Sequence, residues 1–86
     1  MTEVQEIRDI IVDFVRRTLP ELKYQEIDTR QSMKELGATS IDILEVVSAS
    51  MRKLNVKVPR DKLGELTCLD DLIQLLHTIV NEKATQ

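Results

Sequence analysis

The chain contains no tryptophan and only one phenylalanine and one tyrosine among its 86 residues, so it lacks the aromatic platforms on which single-stranded bases stack. Twelve Lys and Arg against fifteen Asp and Glu give a formal net charge of −3, leaving no cationic surplus to neutralise a phosphate backbone. Both shortages argue against a nucleic-acid partner. One cysteine, Cys68, excludes an internal disulfide and a cysteine metal cluster, and its solitary use is that of a reducing compartment, here the cytoplasm. It reads as a small apolar helix residue. With His77 the only histidine, there is no histidine pair for zinc and no serine acquires a triad partner. The two glycines, Gly37 and Gly64, stand apart, so no glycine-rich loop can cradle a phosphate. No apolar run is long enough to span a bilayer, and Met1–Glu6 has neither the basic start nor the apolar stretch of a signal peptide.

What is abundant is aliphatic. Hydrophobic residues make up 42% of the chain, and with so few aromatics the interior must be built from Leu, Ile and Val. The length fits one domain, residues 1–86, with a small helical core and no room for a secluded active site beside a substrate cleft. A non-catalytic module is expected. Thr2 and Gln5 read as a capping box ahead of Val4, Ile7, Ile11, Phe14 and Thr18, which recur at helical spacing until Pro20 ends the pattern. A long connection follows, over 20–38, with one short turn over 32–36 and with Leu22, Tyr24, Ile27 and Met33 as its anchors. Val56, Lys57 and Val58 form an extended connector closed by Pro59. A short third helix is expected over 61–66, and a fourth starts at Thr67 and Asp70 with Leu69, Leu72, Ile73, Leu76, Ile79 and Val80 on its buried face. The last residues, 81–86, are expected to fray. Asp70 and Asp71 are acids at a helix start, where the dipole favours them, and His77 is a surface residue of that helix.

The segment Gly37-Ala38-Thr39-Ser40-Ile41-Asp42 is the most informative one. A helix is predicted from Ser40 to about Leu54, with Thr39 as N-cap and Asp42 reaching back from the third helical position. That arrangement occupies orphan donors and leaves the Ser40 hydroxyl free, at a helix end whose amides and dipole favour an anion. Leu36 anchors the approach, and Gly37 and Ala38 keep it small. At about 100° per residue, Ile43, Val46, Val47 and Leu54 gather on one side with Ser50, whereas Ile41, Glu45, Ser48 and Arg52 gather on the other. The predicted core takes Phe14, Val47, Leu54, Leu72 and Leu76.

From Leu36 through Ser40, the second helix, the Val56–Pro59 connector and the last apolar helix, nearly the whole chain resembles the acyl carrier protein family. In that family an Asp-Ser-Leu motif opens the second helix, and Thr39, Ser40 and Ile41 stand in its place here. The resemblance implies an all-α, four-helix bundle with a long loop between the first two helices and a short third helix. It also implies a 4′-phosphopantetheine arm on Ser40, installed by a phosphopantetheinyl transferase, and a monomer that presents thioesters without performing bond chemistry. The residues around the arm, Ile41, Asp42, Glu45, Ser48 and Arg52, become the candidates for partner recognition. Glu45-Val46-Val47, Ser50-Met51, Leu54, Val56-Lys57-Val58-Pro59-Arg60 and Leu63 resemble the stand-alone donor carriers of polyketide β-branching cassettes. That narrower likeness implies an acyltransferase to load malonyl, a ketosynthase-like decarboxylase to make acetyl, and a 3-hydroxy-3-methylglutaryl synthase-like acceptor. A general fatty-acid, polyketide, peptidyl or D-alanyl carrier is the alternative within the class. An unmodified helical interaction module, with Ser40 as a plain cap, is the alternative outside it, and a helix-turn-helix DNA binder is disfavoured by charge.

Overall fold

The computed structural model describes residues 3–64 and 66–84, without the side chains of residues 60, 83 and 84. Among these, α1 spans Val4–Thr18, α2 Ser40–Leu54, α3 Arg60–Leu63 and α4 Leu69–Ala84, and no strand is present. The all-α, four-helix expectation holds.

In α1, Ile7, Ile11 and Val15 are buried four residues apart, forming a ridge along one face. That ridge packs against both α2 and α4. Val15 therefore takes the core position expected for Phe14, which is half-buried with the Arg17 guanidinium 5.9 Å from its ring centre. Val4, the first residue of α1, is also only partly buried. The N-cap is Glu3, without a side-chain capping bond; Thr2 lies outside the described residues, and the Gln5 amide instead donates to Asp9 Oδ1 at 2.9 Å. From α2 the core receives Val46, Val47 and the fully buried Ser50, whose hydroxyl donates back to the Val46 carbonyl at 2.8 Å. Ile43 and Leu54, expected with them, lie on the same face but are half-buried, one in the first turn of α2 and the other its last residue. Leu69, Leu72, Ile73 and Leu76 of α4 close the core, with Ile79 and Val80 partly buried against it.

Pro20 does end α1, as the first residue of a one-turn 3₁₀ helix, Pro20–Leu22. Leu22 and Met33 are buried and Ile27 is packed against the core. Tyr24 is not an anchor. It is 92% exposed, turned outward by the tight bend that faces Leu22 inward. Backbone bonds hold the loop instead: Leu69 N–H donates to the Gln31 carbonyl at 3.1 Å and Asp70 N–H to the Thr29 carbonyl at 2.8 Å. Val58 is buried in the extended connector. The third helix is shorter than expected, four residues starting on the Pro59 carbonyl and ending before Gly64. Its successor begins at Leu69, so Asp71 and not Asp70 is its third residue. Accordingly Asp71 Oδ2 accepts from the Thr67 hydroxyl at 2.6 Å and the Thr67 amide at 2.9 Å. Helix α4 runs on to Ala84 rather than fraying from Asn81, and residues 85–86 lie outside the described ones.

Candidate functional site

The local chain before Ser40 is tightly specified. Ser32 and Glu35 bond reciprocally, Glu35 N–H to Ser32 Oγ at 3.1 Å and Ser32 N–H to Glu35 Oε1 at 3.3 Å, which caps the expected single turn. Gly37 ends it at φ +100°, a backbone state that side chains disfavour, and Ala38 N–H returns to the Met33 carbonyl at 2.9 Å. Ala38 is buried and anchors the chain one residue before the N-cap.

Thr39 then caps α2 as its sequence predicts. Thr39 Oγ1 accepts from Asp42 N–H at 3.2 Å, and Asp42 Oδ2 accepts from Thr39 N–H at 2.9 Å. This capping box consumes the donors of Thr39 and Asp42 but leaves the amides of Ser40 and Ile41 without an acceptor among the described residues. Ser40 is exposed, and its hydroxyl makes no hydrogen bond to a described residue. A β-carbon placed on Gly37 would meet nothing within 4 Å, so the backbone conformation and not a lack of space favours glycine there.

Beside Ser40 lies a cleft of about 560 Å³ between α2 and the α3–α4 corner, walled by Ile43, Leu44, Val47, Leu63, Leu66, Cys68 and Leu72. Leu44 is 59% exposed and was not among the candidate residues. The signal was available: at about 100° per residue it falls between Ser40 and Ile41 around the helix, on the rim of the cleft. Ile41 is 70% exposed, Glu45 and Arg52 are exposed, and Asp42 and Ser48 are half-buried. Ile41, Glu45 and Arg52 thus share one exposed side of α2, with the half-buried Ser48 and Asp42 at its two edges.

Cys68 is half-buried and free, and it precedes α4 rather than lying inside it. His77 is half-buried, with its Nε2 3.0 Å from Asn81 Nδ2. Asp70 faces Arg8 at 3.7 Å. The Thr67 hydroxyl holds the Asp71 carboxyl below its ordinary value, helped by the Thr67 backbone and by Cys68. No group of three or more His, Cys, Asp or Glu among the described residues is arranged to hold a metal, and none of the described helices is long and apolar enough to cross a membrane.

A free hydroxyl thus stands at a helix start, between two open amides and an apolar cleft. The family described as "Phosphopantetheine attachment site" matches residues 5–76. The chain belongs to this family of carrier proteins. A polyketide biosynthesis acyl-carrier-protein, AcpK, of Bacillus subtilis (strain 168) is 27% identical over 73 residues, covering 85% of this chain and 89% of that protein. Acyl carrier proteins of Wolinella succinogenes and Campylobacter hominis are 23% and 25% identical, covering 91% and 96% of this chain and 97% and 100% of theirs. No solved structure gives a significant match. Members of this family are non-catalytic carriers that bear a covalent phosphopantetheine, and so is this chain.

Proposed function

We propose that Ser40 is the attachment residue and that the carrier is a stand-alone acetyl donor for polyketide β-branching, serving a 3-hydroxy-3-methylglutaryl synthase-like enzyme. The observation that carries the first half is the exposed, unbonded Ser40 hydroxyl on the first residue of α2. The residues fit the group: the hydroxyl is free to form the phosphodiester, and the Ser40 and Ile41 amides, without an acceptor among the described residues, would favour a negative charge at this helix start. When bound, the arm supplies a terminal thiol that holds the acyl group as a thioester. The chain's own part is to orient that tether and to be recognised.

The second half is supported by the polyketide name of the Bacillus subtilis relative and by the likeness of the Glu45–Leu63 segment to donor carriers. On this reading the partners are a phosphopantetheinyl transferase, an acyltransferase that loads malonyl, a ketosynthase-like decarboxylase and the synthase. The carrier works as a cytoplasmic monomer. Recognition is assigned to Ile41, Asp42, Glu45, Ser48 and Arg52, which any enzyme reaching the tether must pass.

Incubation with coenzyme A and a broad-specificity transferase should add one phosphopantetheine to the intact mass of the wild type and none to Ser40→Ala, with the helical circular dichroism kept. Persistence of the gain in Ser40→Ala overturns the assignment. At matched acetyl loading, transfer to a donor-specific synthase should fall by about tenfold in Arg52→Glu, because charge complementarity selects partners. Equal transfer from wild type, Arg52→Glu and Ile41→Ala rejects the recognition stripe.

A further inference from the structure

The end of α2 opposite Ser40 carries a second surface, built differently. The helix stops where Asn55 enters the left-handed region at φ 55°. Asn55 N–H then donates to the Arg52 carbonyl at 3.3 Å and Val56 N–H to the Met51 carbonyl at 3.0 Å. These are the two bonds of a Schellman ending, which brings the residue after the left-handed one back beside the last full turn. Val56 is thereby set against Met51. A third bond, from Val58 N–H to Met51 Sδ at 3.2 Å, fixes the thioether in place.

With Ile79 of α4, Met51 and Val56 floor a groove of about 550 Å³, and all three remain half-buried. Arg52 and Lys57 line the same groove. Both are exposed, and neither forms an ion pair with a described residue. The helix dipole accounts for a cation in the last turn, such as Arg52, but its influence fades beyond that turn. Lys57 lies past the helix, in the extended connector. The result is a preformed apolar floor flanked by two unanswered cations, on a chain whose net charge is −3.

We propose that this groove docks an acidic segment of a partner protein, one that seats an apolar side chain on Met51, Val56 and Ile79 and sets carboxylates against Arg52 and Lys57. The floor rewards an apolar anchor through area removed from water, and the cations choose a segment in which Asp or Glu flanks that anchor. A second copy of this chain is a poor occupant, although Asp42 and Glu45 stand beside the exposed Ile41 and Leu44. Such a head-to-tail contact repeats into a ring or a filament, and each contact covers the surroundings of one copy's Ser40. The groove lies about 18 Å along the helix axis from Ser40 at 1.5 Å per residue. A partner held there leaves the hydroxyl end open, and its binding does not depend on Ser40 being modified.

The test is a titration of the ¹⁵N-labelled full chain with an acetylated, amidated peptide that presents two leucines one helical turn apart among glutamates. Amide shifts centred on Met51, Arg52, Val56, Lys57 and Ile79 are expected. Lys57→Glu should raise the Kd about tenfold, Lys57→Arg should bind as wild type, and a peptide with glutamine for every glutamate should bind like the weakened variant. Ser40→Ala should bind as wild type, so a failure of the attachment assignment and a failure of the groove are read separately. Absent shifts, shifts centred on Ile41 and Leu44, or equal affinity in Lys57→Glu overturn the proposal. So does self-association of the free chain through Lys57, or a preference for phosphatidylglycerol vesicles or an oligonucleotide over the peptide.

Discussion

Helices α2 and α4 each carry a bonded threonine and aspartate at their start, yet only one of these starts leaves its first two amides open among the described residues. At α2 the pair is Thr39 and Asp42, and their reciprocal bonds leave the Ser40 and Ile41 amides without an acceptor among the described residues. At α4 the pair is Thr67 and Asp71. There the first two helical amides, Leu69 and Asp70, are consumed by the Gln31 and Thr29 carbonyls of the long loop, and Leu69 is fully buried. A helix start offers an anion site only where its donors remain unspent. The long loop therefore has two roles: its middle, through the Thr29 and Gln31 carbonyls, closes α4, and its end, at Gly37 and Ala38, delivers α2 with its first turn open.

The contrast is sharpest at the first two helical residues, and there the largest effects on folding are expected. Leu69→Ala removes a fully buried side chain from the start of α4 and should destabilise the domain by about 2–5 kcal/mol, through lost transfer energy and an incompletely collapsed cavity. Ile41→Ala, at a position 70% exposed, should change stability by no more than about 0.5 kcal/mol. Urea unfolding followed by circular dichroism compares the two. Similar losses in both variants break the distinction between a buried and an open helix start.

Much of this was legible in the residues. The start of α2 follows from Thr39 and Asp42, because capping is local chemistry that three or four residues decide, and its end near Leu54 follows from where the helical pattern stops. Periodicity likewise finds Val46, Val47, Leu72 and Leu76. It fails on Phe14 against Val15, since both lie within the span of one apolar stripe and the partner helices decide which of them points inward. It fails on Tyr24 because an aromatic residue in a loop carries no periodic information. It assigns Asp70 rather than Asp71 to the cap because a one-residue shift in the start of α4 depends on backbone bonds from Thr29 and Gln31, which are distant in sequence. The open amides beside Ser40 are predictable from the capping box, whereas the closed ones at Leu69 and Asp70 require the fold.

An intermediate effect separates the two threonines. Thr39→Ala deletes the acceptor for Asp42 N–H, and removal of an N-cap of this kind costs about 0.5–2 kcal/mol. Thr39→Ser keeps an oxygen within reach and should recover most of that loss. At α4 the two loop carbonyls already hold Leu69 and Asp70, so Thr67→Ala should cost less than Thr39→Ala in the same denaturation series. A larger loss at Thr67 shows that the side-chain bond to Asp71, and not the loop, closes that helix.

The smallest effect is acid dependence at the closed end. Hydrogen bonds from the Thr67 hydroxyl and backbone hold the folded Asp71 carboxyl below its ordinary value of 3.8. A carboxyl depressed by folding contributes stability above its unfolded value and loses that contribution as the pH falls through the folded one. Asp71→Asn lacks this term at every pH while keeping an oxygen that can accept from Thr67. The stability advantage of wild type over Asp71→Asn should therefore be present at neutral pH and shrink steadily below about pH 4, the region of the unfolded carboxyl. Because the carboxyl is solvated, the change should be small and should weaken further with added salt. Thermal unfolding of both proteins from neutral to acid pH, at low and high ionic strength, reads it directly. A constant difference across that range shows that Asp71 acts through its shape and not its charge, and that α4 is closed by neutral hydrogen bonds alone.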